Sequence, residues 1–167
     1  MTATLKTSKR KNWKGVVLRE LISFIEDRHS GDMSLKSIAE VTGLSVGNIS
    51  AMMIRDDMKL SRAEEIVSAY GFRLRLFFPL REYPVTWAVR TTERKYPDAG
   101  NLEGLVKYLH DSNITVNHMS TRIGSSHCVI DRAFKTGDIF LSTLYTILEN
   151  LNIEVIWMYE PLNTDLQ

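Results

Sequence analysis

Between Gly43 and Lys59 the chain sets out hydroxyls, an amide, small side chains and two cations: Ser45, Val46, Gly47, Asn48, Ser50 and Ala51, then Arg55 and Lys59. Hydroxyls and amides both donate and accept hydrogen bonds, and cations pair with phosphate. The chemistry on offer is recognition of a polyanion, not bond making. Asn48 can bond a phosphate or an adenine edge, the serines either, and Val46 can touch a thymine methyl. Small side chains let a helix lie deep in a groove; the alternative is an ordinary exposed helix of a bundle. A second stretch carries Ser126, His127, Cys128, Asp131 and Arg132. There Arg132 suits a guanine, and Asp131 would accept from cytosine or orient Arg132. The competing reading is a scaffold retained for packing. No His, Cys and carboxylate group has metal-ligand spacing, and no nucleophile sits in an elbow or a phosphate loop. No enzyme, metal or cofactor is expected. His29 and His110 fall at matched helix ends, which suit a cation, and His118 reads as a surface or partner residue.

The elements that must position these residues are written twice. Residues Ser34 to Phe78 and Thr115 to Tyr159 follow one pattern, 81 positions apart and without a gap. Gly43/Gly124, Ser45/Ser126, Ile49/Ile130, Asp57/Asp138, Leu60/Leu141, Ser61/Ser142 and Ile66/Ile147 are identical, and apolar positions such as Ile38/Met119 and Met53/Phe134 coincide. A core pattern at fixed offset points to duplicated structural units.

In the first unit, Val17 to Ile25 has helical periodicity and Ser30-Gly31-Asp32 breaks it. Ser34 then caps a short helix with Leu35, Ile38, Ala39 and Val41 inward, closed by Gly43 in a left-handed turn. Ser45 caps a third helix to about Arg55, with Ile49 and Met52 or Met53 inward, giving a helix-turn-helix. Asp56 to Leu60 reads as a loop. Ser61 and Glu64 then form a capping box for a fourth helix. From Phe72 to Phe78 the period becomes alternating, which predicts a strand. The second unit repeats the order with helices near Leu102–His110, Thr115–Arg122, Ser126–Lys135 and Ser142–Asn150 and a strand at Ile153–Tyr159. Lone strands are unstable in water, so the two are expected to pair about a pseudo-two-fold axis.

Gly43-Leu44-Ser45-Val46-Gly47-Asn48-Ile49-Ser50 resembles the turn and recognition helix of the Cro and lambda-repressor-like (XRE-type) helix-turn-helix superfamily. Leu60-Ser61 through Tyr70-Gly71-Phe72-Arg73-Leu74 is similar to the fourth helix and trailing strand of its HigA- and HipB-type antitoxin branch, where such strands pair across a dimer. The resemblance covers most of the chain beyond its tail and linker. It implies a mainly α protein of two tandem Cro-like domains, each followed by a strand that pairs in a small pseudo-two-fold sheet. Two positions depart from it. Ala51 stands where the family often has a long polar residue, and the second unit lacks the usual Leu or Val after Gly124.

Composition sets the class. A 167-residue chain that is 44% hydrophobic and 25% charged can build a normal core and holds two small domains. No secretory signal or long apolar run is evident, and the single cysteine, Cys128, leaves no internal disulfide; the reading is a cytoplasmic protein. Residues 1–82 carry 14 basic and 10 acidic side chains, the rest 7 and 10. The excess lies in an N-terminal arm, residues 1–14, where Lys6, Lys9, Arg10, Lys11 and Lys14 precede any acid. Such an arm either neutralises phosphates and enters a minor groove or remains a solvated terminus. The domains are read as 15–79 and 101–160, with a linker over 80–100 that includes the apolar run Tyr83 to Val89 and the cations Arg90, Arg94 and Lys95.

The expected function is sequence-specific binding of double-stranded DNA by a transcriptional regulator that represses by occluding a promoter, with two reading helices about 34 Å apart on a pseudo-palindrome. DNA-contact candidates are Lys9, Arg10, Lys11, Ser45, Val46, Gly47, Asn48, Ser50, Ala51, Arg55, Lys59, Ser126, His127 and Arg132. The alternative is a protein-interaction module, antitoxin-like or antiactivator, with a degenerate second unit. No membrane is involved on either reading. The chain is either a monomer with pseudo-dimer symmetry or a strand-mediated homodimer.

Overall fold

A computed structural model of the chain describes residues 17–79, 96 and 99–162. Among them are eight α-helices and one two-stranded antiparallel sheet, the mainly helical fold that the periodicity predicts. The basic arm, including Lys9, Arg10 and Lys11, lies outside the described residues, as does most of the linker, with Arg90, Arg94 and Lys95. No single helix among the described residues is long and apolar enough to cross a membrane.

Two compact units divide the chain. One runs through Leu74 and takes in the residues from Tyr159 onward; the other is Arg75–Met158. The division therefore falls inside both strands, and the end of the second strand completes the first unit.

In the first unit α1 (Arg19–Arg28) buries Leu21, Ile22, Phe24 and Ile25, an apolar stripe at three- and four-residue spacing. Next comes α2 (Leu35–Thr42), where the Ser34 hydroxyl accepts from the Ser37 N–H at 3.1 Å. Gly43 closes it at φ +72°, a conformation that costs glycine nothing. After this turn α3 (Val46–Arg55) leaves at 112° to α2. Its C-terminus is a Schellman turn, with Asp56 left-handed and the Asp57 N–H bonded back to the Met52 carbonyl at 3.3 Å. Then α4 (Leu60–Ala69) buries Leu60, Ala63, Ile66 and Val67, and β1 (Phe72–Phe77) follows.

Two expectations need correction here. Within α2 only Ile38 is buried, and Val41 is 42% exposed. A helix of two turns presents one narrow stripe inward, and Val41 lies off it. The capping box at Ser61 does not form the helix start, because the N-cap lies two residues earlier, at Lys59. Leu60 is fully buried, and anchoring that side chain in the core outweighs the local cap. The same occurs later, where Phe140 precedes the buried Leu141.

In the second unit a 3-10 turn at Gly100–Leu102 leads into α5 (Glu103–Asp111). Then come α6 (Val116–Ile123), α7 (His127–Thr136) and α8 (Leu141–Leu151). Both ends of α6 and α7 lie 81 positions from those of α2 and α3, and Gly124 repeats the left-handed turn at φ +69°. The identical apolar pairs Ile49/Ile130, Leu60/Leu141 and Ile66/Ile147 are all buried. The final strand β2 (Ile156–Pro161) starts three residues later than expected. The reason is a second Schellman turn: Asn152 is left-handed and the Ile153 N–H is bonded to the Leu148 carbonyl at 2.9 Å, so this residue still belongs to the helix end.

The strands pair as the sequence predicts. The Leu162 N–H donates to the Gly71 carbonyl at 2.9 Å, and the matching strand ends set Phe72 opposite Pro161 and Phe77 opposite Ile156. Leu74 and Trp157 are buried on one sheet face, whereas Arg73, Arg75, Phe77, Ile156, Met158 and Glu160 are exposed on the other.

Candidate nucleic-acid interface

Three buried side chains, Ile49, Met52 and Met53, anchor α3 to its unit and so decide which residues look outward. At about 100° per residue the face opposite them is centred on Gly47, Ala51 and Ile54, with Val46 and Ser50 on one flank and Asn48 and Arg55 on the other. Gly47, Asn48, Ala51 and Arg55 are exposed, Val46 is 44% exposed and Ile54 66%. A Cβ on Gly47 would meet only the Ser45 hydroxyl, at 4.0 Å, so the surface there is open. Ser50 is half-buried, which places it at the margin of the face. The Ser45 hydroxyl accepts from the Asn48 N–H at 3.1 Å, so one lone pair is committed to capping the helix. Lys59 is exposed at the start of α4.

Asp56, which the sequence reading leaves in a loop, holds this arrangement together. Its carboxylate accepts from the N–H groups of Val17 at 3.2 Å and Leu18 at 3.1 Å, tying the end of α3 to the start of α1. A negative charge at that helix N-terminus is also favourable to the dipole.

In the second unit Ile130, Ala133 and Phe134 anchor α7. The same rotation brings Cys128, Arg132 and Lys135 to the outward centre, with His127 beside them, all exposed. The Ser126 hydroxyl caps the helix, accepting from the Val129 N–H at 3.3 Å. Asp131 does not serve Arg132. Its carboxylate takes an ion pair from Lys135 at 2.7 Å and a hydrogen bond from the Tyr96 hydroxyl at 2.8 Å. The Lys135 bond, then the Tyr96 bond, hold the Asp131 carboxyl below its ordinary range, while burial and the carboxylate push the Tyr96 phenol up. Tyr96 also packs edge-on against Phe134, with centroids 5.6 Å apart. The Lys135 contact was legible in the sequence as a four-residue helical spacing. Tyr96 was not, since it arrives from 35 positions away.

The two matched histidines differ. His29 Nε2 lies 3.0 Å from the Asp32 carbonyl and 2.8 Å from the Ser37 hydroxyl, and its Nδ1 lies 2.7 Å from the Tyr70 hydroxyl. A carbonyl only accepts, so Nε2 donates to it, and Nδ1 shares a hydrogen bond with the Tyr70 hydroxyl. This ring staples α1, α2 and α4, a role beyond the helix-end preference expected for it. At the positions matching Ser37 and Tyr70 the second unit has His118 and Leu151, so His110 has no such staple and its Nδ1 lies 3.7 Å from Asp111. His118 is exposed. No group of three or more His, Cys, Asp or Glu among the described residues is placed to hold a metal ion. In comparison with known proteins, no family model, no curated protein and no solved structure matches this chain.

Proposed function

We propose that the chain is a sequence-specific binder of double-stranded DNA, a transcriptional repressor built from two helix-turn-helix domains over 15–79 and 101–160. The observation that carries this reading is the recurrence, 81 residues apart, of one device: a capped short helix, a left-handed glycine and a second serine-capped helix anchored by three core side chains. That device holds an exposed helix rigidly by one face, as insertion into a major groove requires. In the first unit the exposed face centres on Gly47, Ala51 and Ile54 with Asn48 and Arg55 on one flank; in the second it carries His127 and Arg132. The resemblance to the Cro and lambda-repressor-like superfamily, HigA- and HipB-type branch, supports the same reading. Base edges supply specificity, and phosphate contacts from the cations set register.

Selection of duplexes from a random pool by the purified full chain tests it. Enrichment of one motif, with affinity that falls linearly in log salt, is the expected result. A chain that enriches no motif and binds no duplex would end the proposal.

One observation favours a second reading, a protein-interaction module of antitoxin-like or antiactivator type. Phe77, Ile156 and Met158 stand together on one sheet face, 52%, 46% and 47% exposed. Clustered apolar exposure marks contact surfaces more often than isolated exposure does.

A further inference from the structure

We infer that base reading is concentrated in the second unit, on His127 and Arg132, and that Tyr96 and Lys135 make this possible by tying down Asp131. This rests on the DNA-binding reading above and assigns its specificity.

The two anchored helices point different side chains outward. On α3 the outward centre is Gly47, Ala51 and Ile54, flanked by Val46, and none of these has a polar side-chain atom. Asn48 stands off to one flank, Ser50 is half-buried, and the Ser45 hydroxyl gives one lone pair to the cap. Such a face suits close seating against sugar and thymine methyls. It has little with which to tell donors from acceptors.

The equivalent positions on α7 are His127, Cys128, Arg132 and Lys135. Arg132 is exposed with no ion pair or hydrogen bond to its side chain among the described residues, and its guanidinium matches the two acceptors of a guanine edge. His127 can donate or accept.

A carboxylate on the same helix is the obvious objection, because Asp131 beside phosphate would repel it. The geometry removes the objection. Both carboxylate oxygens are engaged, one by the Lys135 ammonium and one by the Tyr96 hydroxyl, and the residue is drawn toward the body of its unit. The charge is compensated within the helix and does not compete for Arg132. Tyr96 and Lys135 are thus positioning residues, and the net-negative composition of this half does not describe the face that matters.

The test measures affinity of the full chain for its enriched duplex and for an unrelated duplex by fluorescence anisotropy. Arg132→Ala should weaken the enriched duplex by roughly tenfold or more while changing the unrelated one less than about threefold. Arg132→Lys keeps the charge but loses the fork, so it should recover less than about half of that loss on a logarithmic scale. Asn48→Ala with Ser50→Ala should weaken the two duplexes to a similar degree, leaving the preference for the enriched one unaltered. Tyr96→Phe keeps the ring against Phe134 but frees one Asp131 oxygen, and should weaken both duplexes alike without altering preference. Because Arg132 and Asn48 are exposed, unchanged melting temperatures are expected for their variants and exclude misfolding as the cause. Loss of specific binding in the Asn48/Ser50 variant with none in Arg132→Ala would overturn the assignment, and unaltered affinity in Tyr96→Phe would overturn the role of the clamp. If the wild-type chain enriches no motif at all, the DNA-binding reading falls and takes this assignment with it; enrichment indifferent to Arg132 sinks the assignment alone.

Discussion

Removing the Asp56 carboxylate should loosen the whole first unit, and its contributions can be separated. Leu18 is fully buried, so its N–H cannot turn to water when the acceptor goes; the half-buried Val17 N–H can. Leaving one buried donor unsatisfied costs about 1–3 kcal/mol, and losing a charge-assisted partner at the second adds a smaller amount. Asp56 also sits at φ +53°, a strain of about 1–2 kcal/mol that aspartate already bears, that alanine keeps and that glycine relieves. Asp56→Gly should therefore lose about 2 kcal/mol and Asp56→Ala about 3 kcal/mol. For a chain of this length about 2–3 kcal/mol corresponds to a melting shift of roughly 5–10 °C. Urea denaturation followed by circular dichroism gives the free energies, and amide hydrogen exchange at Leu18 reports the bond itself. The Leu18 amide should exchange much faster in both variants. An Asp56→Gly protein within about 0.5 kcal/mol of wild type, with Leu18 exchange unaltered, would refute the claim that this carboxylate joins α3 to α1.

Three further outcomes are expected. Burial pushes the Tyr70 phenol up to about 12 from 10.0; its contribution to stability is complete below pH 10 and lost as pH rises toward 12, so ultraviolet titration should show a late phenolate step that Tyr70→Phe abolishes. Leu74 is 2% exposed whereas Val155 lies half-buried ahead of β2, so Leu74→Asp should cost more than about 4 kcal/mol and Val155→Asp distinctly less, despite their matched places in the repeat; equal thermal shifts would contradict the observed strand start. Ser45→Ala and Ser126→Ala each remove one cap and should each lower stability by about 1 kcal/mol, and a cap-free variant as stable as wild type would show that the core alone holds the bend.

The bend at each repeat was legible because its interactions are local. Ser45 caps an N–H three residues on, Gly43 needs only its own backbone freedom, and Ile49, Met52 and Met53 follow helical spacing. The Asp131–Lys135 pair is local too, but the sequence left its use open because a helical carboxylate can turn toward several neighbours. Ser61 misled for a related reason: a capping box is a local preference of modest size, and burying Leu60 decided the helix start.

By itself the sequence determined the duplication, the helical order, the left-handed turns at Gly43 and Gly124 and the pairing of two strands that neither half could stabilise alone. Tertiary structure alone decided what lies far apart in the chain: Asp56 on the start of α1, His29 between Tyr70 and Ser37, Tyr96 on Asp131, and Tyr159 stacked on Phe24 at 4.3 Å. It also decided which helix residues face outward, placing Gly47, Ala51 and Ile54 at the centre of one face and Cys128, Arg132 and Lys135 at the centre of the other. The physical reason is range. Caps, turns and periodicity act over a few residues and are written in neighbouring letters, whereas a partner 38 positions distant, or the rotation of a helix about its axis, is selected by how the apolar side chains of the whole unit pack.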